Sequence, residues 1–131
     1  MNVPDSHRVV LVVEDEDSLR EMLTLVLKMR AYRVISCGNG LEAKEQLDGV
    51  ERVDVMLLDI RMPGVDGKQL LSYVRHHPRR ASVPVICMSG FSDETQANEM
   101  RALGADAFLG KPFSISALMA LLEEILRPER S

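Results

Sequence analysis

The chain is short of the features that would mark it as secreted, membrane-spanning or nucleic-acid-binding. It carries two cysteines, Cys37 and Cys87, in 131 residues. Both lie in apolar, strand-like runs without a second Cys or a His at ligand spacing. They read as reduced core residues of a cytoplasmic protein, in preference to a disulfide or a metal site. No apolar stretch approaches the roughly 20 residues that span a bilayer. Residues 1–8 lack the charged-then-apolar pattern of a signal peptide. Positive charge is not in excess: 16 Lys and Arg face 20 Asp and Glu, for a net charge of −4. Direct nucleic-acid binding is therefore not expected. The one basic stretch, His76-His77-Pro78-Arg79-Arg80, reads as an exposed helix end and loop. Repeats, internal linkers and low-complexity segments are missing too. What is there is a chain with 46% hydrophobic residues, long enough for one domain with a real core.

Short apolar runs alternate with amphipathic stretches. The runs at 8–13, 32–37, 53–58, 83–88 and 106–109 read as strands, the second more polar and suited to a sheet edge. Pro84 is tolerable only near the start of the fourth. Between them lie helical patterns. The first presents Leu19, Met22, Leu23, Val26 and Leu27 on one stripe, with Asp17 as its expected N-cap and Glu21 near its start. Asn39 and Glu42 form a capping-box pattern for the second helix, and Gly49 suits its end. Asp66 caps a third, whose inward residues are Leu70, Leu71 and Val74. Ser92, Asp93 and Glu94 open a fourth that Gly104 ends. With only Ala97, Met100 and Leu103 as apolar positions, that helix has a thin core contact and is expected to be the most mobile. The fifth shows Ile115, Leu118, Met119, Leu122, Ile125 and Leu126 on one face. A (βα)5 order implies a parallel sheet covered by helices on both faces.

In such a sheet the carboxyl ends of all strands share one edge, where ligands bind. Glu14 and Asp15 follow the first strand, Asp59 the third and Ser89 the fourth, and Lys111 stands just past the fifth. Carboxylates brought together repel unless a cation lies between them. An all-oxygen donor set suits Mg2+. Asp59 can act as a nucleophile toward a phosphoryl group, with Lys111 supplying positive charge and Ser89 a hydroxyl. Taken singly, each has a plainer reading: a solvated acidic helix start, a surface lysine, a turn serine. Their arrival at one edge argues against coincidence.

Four pieces, in order, carry a family resemblance. They are Leu11-Val12-Val13-Glu14-Asp15, Leu57-Leu58-Asp59-Ile60-Arg61-Met62-Pro63-Gly64-Val65-Asp66-Gly67, Met88-Ser89-Gly90 and Lys111-Pro112-Phe113. On these the chain resembles a response-regulator receiver domain of two-component signalling, over about residues 8–127, with 1–7 and 128–131 as tails. The resemblance implies a doubly wound flavodoxin-like fold with strand order 2-1-3-4-5. It implies that Asp59 takes a phosphoryl group from a phosphohistidine on a sensor histidine kinase or a histidine phosphotransfer protein. Mg2+ would be held by the side chains of Asp15 and Asp59 and the backbone carbonyl of Arg61, with Glu14 acting through water. Lys111 would pair with the phosphoryl oxygens. Ser89 would swing toward the phosphoryl group and Phe108 would turn inward behind it. The Lys111–Pro112 bond is expected to be cis, an isomer common only before Pro. Glu14, Ser89 and Phe108 stand where Asp, Thr and Tyr are commonest, so charge and hydroxyl are kept but a phenolic signal is absent.

Other readings compete. A haloacid-dehalogenase-like phosphatase needs a second acid two residues past its nucleophile, where this chain has Arg61. A flavin carrier needs a phosphate-cradling loop where this chain has Glu14-Asp15-Glu16-Asp17. A pseudo-receiver that binds partners without phosphorylation is the main alternative, opposed by the intact Asp59, acid pair and Lys111. The protein is thus expected to be a phosphoacceptor and not a turnover enzyme. Arg61 and Phe91 would flank the site mouth and control water access. No output domain follows in this sequence, which suits a stand-alone regulator or a receiver from a larger protein such as a hybrid sensor histidine kinase. Helix 1 and neighbouring loops would meet the phosphodonor. The face of the fourth helix, fifth strand and fifth helix would carry output, including phosphorylation-dependent self-association.

Overall fold

The computed structural model describes residues 7–61, 67–90 and 94–127. The elements are β1 (Val9–Val13), α1 (Asp17–Met29), β2 (Arg33–Cys37), α2 (Gly40–Asp48), β3 (Val55–Asp59), α3 (Gly67–His76), β4 (Val85–Ser89), α4 (Glu94–Ala102), β5 (Ala107–Gly110) and α5 (Ile115–Leu126). All strand pairs are parallel, in the order β2-β1-β3-β4-β5. This is the doubly wound, flavodoxin-like fold expected. Every residue of β1 and β3 is buried, as continuous apolar runs between two helical layers require. The more polar β2 is an edge strand.

Side-chain alternation divides the core in two. Val10 and Val12 join Leu23 and Leu27 of α1 and Leu118 and Leu122 of α5. Leu11 and Val13 join Leu47 of α2, Leu70 and Leu71 of α3, and Met100 of α4. Each buried Leu or Val contributes roughly 1.5–3 kcal/mol. Met100 is the one buried residue of α4, in keeping with the thin contact its sequence offers. Burial pushes the thiols of Cys37 and Cys87 up to about 12, so both are inert core residues. No described helix is long and apolar enough to cross a membrane.

Strand ends differ from the apolar runs for local reasons. Asp54 stays outside β3 and its Oδ2 accepts from Val9 N (2.7 Å). Asp106 does the same outside β5, accepting from Val85 N (2.8 Å). At the other edge β3 and β4 run one residue further than expected, so Asp59 and Ser89 are themselves strand residues. Asn39 caps α2 by accepting from Glu42 N (2.8 Å), but the Glu42 carboxylate reaches back to Gly38 N (2.7 Å), one residue before the cap. Ser114 caps α5 through Ala117 N. Asp17 is not the cap of α1: it is the first helical residue, and its carboxylate is drawn to Arg20 (2.6 Å). Gly49 ends α2 in an extended conformation, whereas Gly104, after α4, has φ of 105° as a glycine terminator should. Asp66, Ser92 and Asp93 lie outside the described residues.

The stretch at 76–80 corrects the expectation of an exposed loop. His77 and Arg80 are buried. The last carbonyls of a helix have no partner within it, and the Gly49 N–H reaches back only to Gln46 O (3.1 Å). Arginines serve the carbonyls that follow. Arg80 donates to Leu47 O (2.9 Å), Gly49 O (3.0 Å) and Glu51 O (2.8 Å), and Arg79 donates to Asp48 O and Gly49 O, both at 2.9 Å. Asp48 also receives Tyr73 and His77. Arg80→Ala is expected to cost roughly 2–4 kcal/mol in urea unfolding. Arg80→Lys should recover less than half, because an ammonium cannot span three carbonyls. A loss below about 1 kcal/mol for Arg80→Ala would mean that water serves those carbonyls equally well.

Candidate functional site

Parallel pairing brings four chain segments to one edge. The register sets Val13 beside Leu58, Asp59 beside Met88 and Ser89 beside Gly110. The residues just past those positions therefore converge. One ligand atom from each of Glu14, Asp15 and Asp59 lies within 4.8 Å of the others. Glu14 is 1% exposed and Asp59 4%, while Asp15 faces solvent. Lys111 Nζ stands 3.1 Å from Glu14 Oε1 and 3.3 Å from Asp59 Oδ1. Backbone donors complete the frame: Arg61 N to Asp59 Oδ1 and Glu16 N to Glu14 Oε2, both at 3.1 Å. Gly67 opens α3 so close that a Cβ there would lie 3.0 Å from Ile60 O and 3.3 Å from Asp59 O. A side chain at 67 would need the peptides that carry Asp59 to give by a few tenths of an ångström.

The site is short of positive charge. Burial, then the neighbouring Glu14 carboxylate, pushes Asp59 from its ordinary 3.8 up to about 7. Lys111 and the Arg61 N–H pull the other way without cancelling this. For Lys111 itself, burial works against the charge, but Asp59 and Glu14 outweigh it and hold the ammonium above its ordinary value. Three carboxylates with one ammonium call for a proton or a further cation. Their donor atoms are all oxygen, which fits a hard divalent ion such as Mg2+.

Ser89 and Lys111 line a second hollow, of about 350 Å³, together with Gly90, Gly110 and Glu94 and Ala97 of α4. Lys111 N donates to Ser89 O (2.7 Å), tying the two loops. The Lys111–Pro112 bond is cis, as expected. Phe108 is not part of the acid cluster. It is half-buried on β5, packed against the α3–α4 side of the core, with the Arg101 guanidinium 4.5 Å above its ring. Arg61 is exposed, and Phe91 lies outside the described residues.

Residues 10–123 match the response regulator receiver domain. The chain belongs to this family. Receiver relatives extend over most of it. Transcriptional regulatory protein GltR of Pseudomonas aeruginosa is 35% identical over 120 residues, which cover 92% of this chain and 49% of that protein. The chemotaxis response regulator CheY4 of Vibrio cholerae superposes with a TM-score of 0.86 at 28% identity, covering 92% of this chain and all of that one. The receiver domain of a signal transduction histidine kinase from Syntrophus aciditrophicus gives 0.83 at 29% identity, over 95% and 96% of the two chains. The chain spans about half the length, or less, of these curated relatives it matches. Receiver membership fits the convergence of Glu14, Asp15, Asp59 and Lys111. One contributor escaped the sequence reading. Arg20 of α1 donates to the Glu14 carbonyl (2.9 Å), a role whose only trace in the sequence is its i, i+3 spacing from Asp17.

The charge shortage predicts a pH-dependent stability. Because the folded-state value of Asp59 is raised, its penalty is absent below pH 3.8, where both states are protonated. It grows as pH rises and is complete above about 7. In chelator, Asp59→Asn should therefore stabilise the protein by on the order of 2 kcal/mol at pH 8 and by little at pH 4. Millimolar Mg2+ should erase the difference. Equal thermal midpoints for the two proteins at pH 8 in chelator would contradict it.

Proposed function

We propose that Asp59 accepts a phosphoryl group from a phosphohistidine, on a sensor histidine kinase or a histidine phosphotransfer protein, with Mg2+ as cofactor. The observation that carries this reading is the buried, positively under-compensated carboxylate beside Lys111. Asp15 and Asp59 would hold the ion through side chains, the Arg61 backbone carbonyl would add a ligand, and Glu14 would act through water. When bound, the ion neutralises phosphoryl oxygens and keeps Asp59 ionised. An Asp59 carboxylate oxygen then attacks phosphorus in line with the donor imidazole. The O–P bond forms as the P–N bond breaks, and the leaving nitrogen keeps the electron pair and is protonated by solvent. Lys111, already held by Glu14 and Asp59, meets the transferred oxygens as a point charge. Ser89, in the hollow that Lys111 also lines, supplies a hydroxyl, and Phe108 is the responsive aromatic on the output face.

Transfer is stoichiometric and not a turnover reaction, since Arg61 occupies the place where a phosphatase of this geometry carries its general acid. The unit is taken as residues 8–127. A groove of about 520 Å³ beside Lys111, lined by Leu19, Met22, Pro112 and Phe113, suits helix 1 and the last loop as the phosphodonor face. Output, including any phosphorylation-dependent self-association, is assigned to α4, β5 and α5. No direct nucleic-acid contact by this domain and a cytoplasmic setting complete the reading. Beryllofluoride, an acyl-phosphate mimic, should bind in the presence of Mg2+ and shift the amide resonances of Ser89, Phe108 and Lys111. Binding should vanish in Asp59→Asn and weaken at least tenfold in Lys111→Ala. Failure of the unaltered protein to bind would favour the pseudo-receiver.

A further inference from the structure

Glu14 has every polar group engaged. Its N–H donates to Cys37 O (3.1 Å), its carboxylate receives Lys111 Nζ and Glu16 N, and its carbonyl receives Arg20 Nη1 (2.9 Å). The last of these links the acid site to a residue about one turn into α1. Arg20 forks, its other arm donating to Asp17 Oδ1 (2.6 Å). Its side chain is 21% exposed against 81% for Asp17. The guanidinium lies over Gly38, where a Cβ would come within 3.2 Å of Nη1. Glycine there leaves the space that Arg20 fills.

A peptide unit is planar, so the Glu14 carbonyl and the Asp15 N–H turn together. A donor locked onto that carbonyl fixes the angle at which Asp15 leaves the strand. Asp15 is the exposed acid of the three and depends most on its backbone for aim. We propose that Arg20 is a positioning residue of the divalent-ion site, holding the Glu14–Asp15 peptide so that Asp15 faces Asp59. The inference rests on the metal reading above and adds to it a residue that touches neither ion nor phosphoryl group.

The sign of the effect separates positioning from charge. Arg20 is a cation beside a cation site. By electrostatics alone, its removal would tighten Mg2+ binding. By positioning, its removal loosens Asp15 and weakens binding, by roughly tenfold on the usual scale for residues that orient ligands. Mg2+ affinity is read by calorimetry on the unaltered protein, Arg20→Gln, Arg20→Lys and Asp17→Asn, with chemical unfolding in chelator to establish that each variant is folded. Arg20→Gln should lose roughly tenfold, and Arg20→Lys, which keeps the charge without the fork, should recover little. Asp17→Asn should stay within about twofold, because an exposed ion pair contributes little. Unchanged or tighter binding by Arg20→Gln, full recovery by Arg20→Lys, or an equal loss in Asp17→Asn would each overturn the role of Arg20. Absence of Asp59-dependent Mg2+ binding in the unaltered protein would instead overturn the metal reading itself.

Discussion

Two carboxylates buried side by side, with one ammonium between them, are the constraint to which the rest of the molecule answers. Glu14 and Asp59 are nearly inaccessible, and Lys111 bridges them. In water such a pair would spread apart; here β1 and β3 hold it together. The strain is electrostatic and local, and a proton on Asp59 or a divalent cation would relieve it. Lys111 and the Arg61 N–H are the groups that hold Asp59 in its present state.

Packing lets the protein bear this cost. Both faces of the central strands are sealed by apolar side chains, so the sheet edge cannot relax by opening. At the opposite end of the sheet, Arg80 and Arg75 hold loops to the helices. Arg75 donates to Val83 O (2.8 Å) and Gly104 O (2.6 Å) and pairs with Asp106. The end these arginines hold lies away from the chemistry. The helix with fewest buried residues, α4, lines the hollow that Ser89 and Lys111 share. A change at the site thus meets its least anchored neighbour first.

Much of this was legible in the sequence because it depends on periodicity and on strand ends. Continuous apolar runs identified the buried strands, and residues following them identified the edge. Glu14, Asp15, Asp59 and Lys111 could be assembled from that logic alone, and Asn39 and Gly104 from local backbone rules. What escaped were interactions whose partner is a distant backbone carbonyl. Arg80 reaches carbonyls around 30 positions away, so nothing in the composition of 76–80 distinguishes it from a solvated arginine. Arg20 serves the Glu14 carbonyl, and that oxygen carries no side-chain signature. Asp favours caps, but the Asp17 carboxylate sits one residue inside the helix and pairs with Arg20. Phe108 was placed on the correct strand, while its partner Arg101, a helix away, was not foreseen.

The most direct test of the central claim asks where a phosphoryl group goes. The protein is incubated with phosphoramidate, a small donor with the same P–N bond as phosphohistidine, with and without Mg2+, and followed by intact-mass and fragment mass spectrometry. The account predicts one phosphoryl group per chain, on Asp59, formed only with Mg2+ and removed by hydroxylamine as an acyl phosphate should be. A hydroxylamine-resistant label, a label on another residue, or an equal yield in chelator would contradict it.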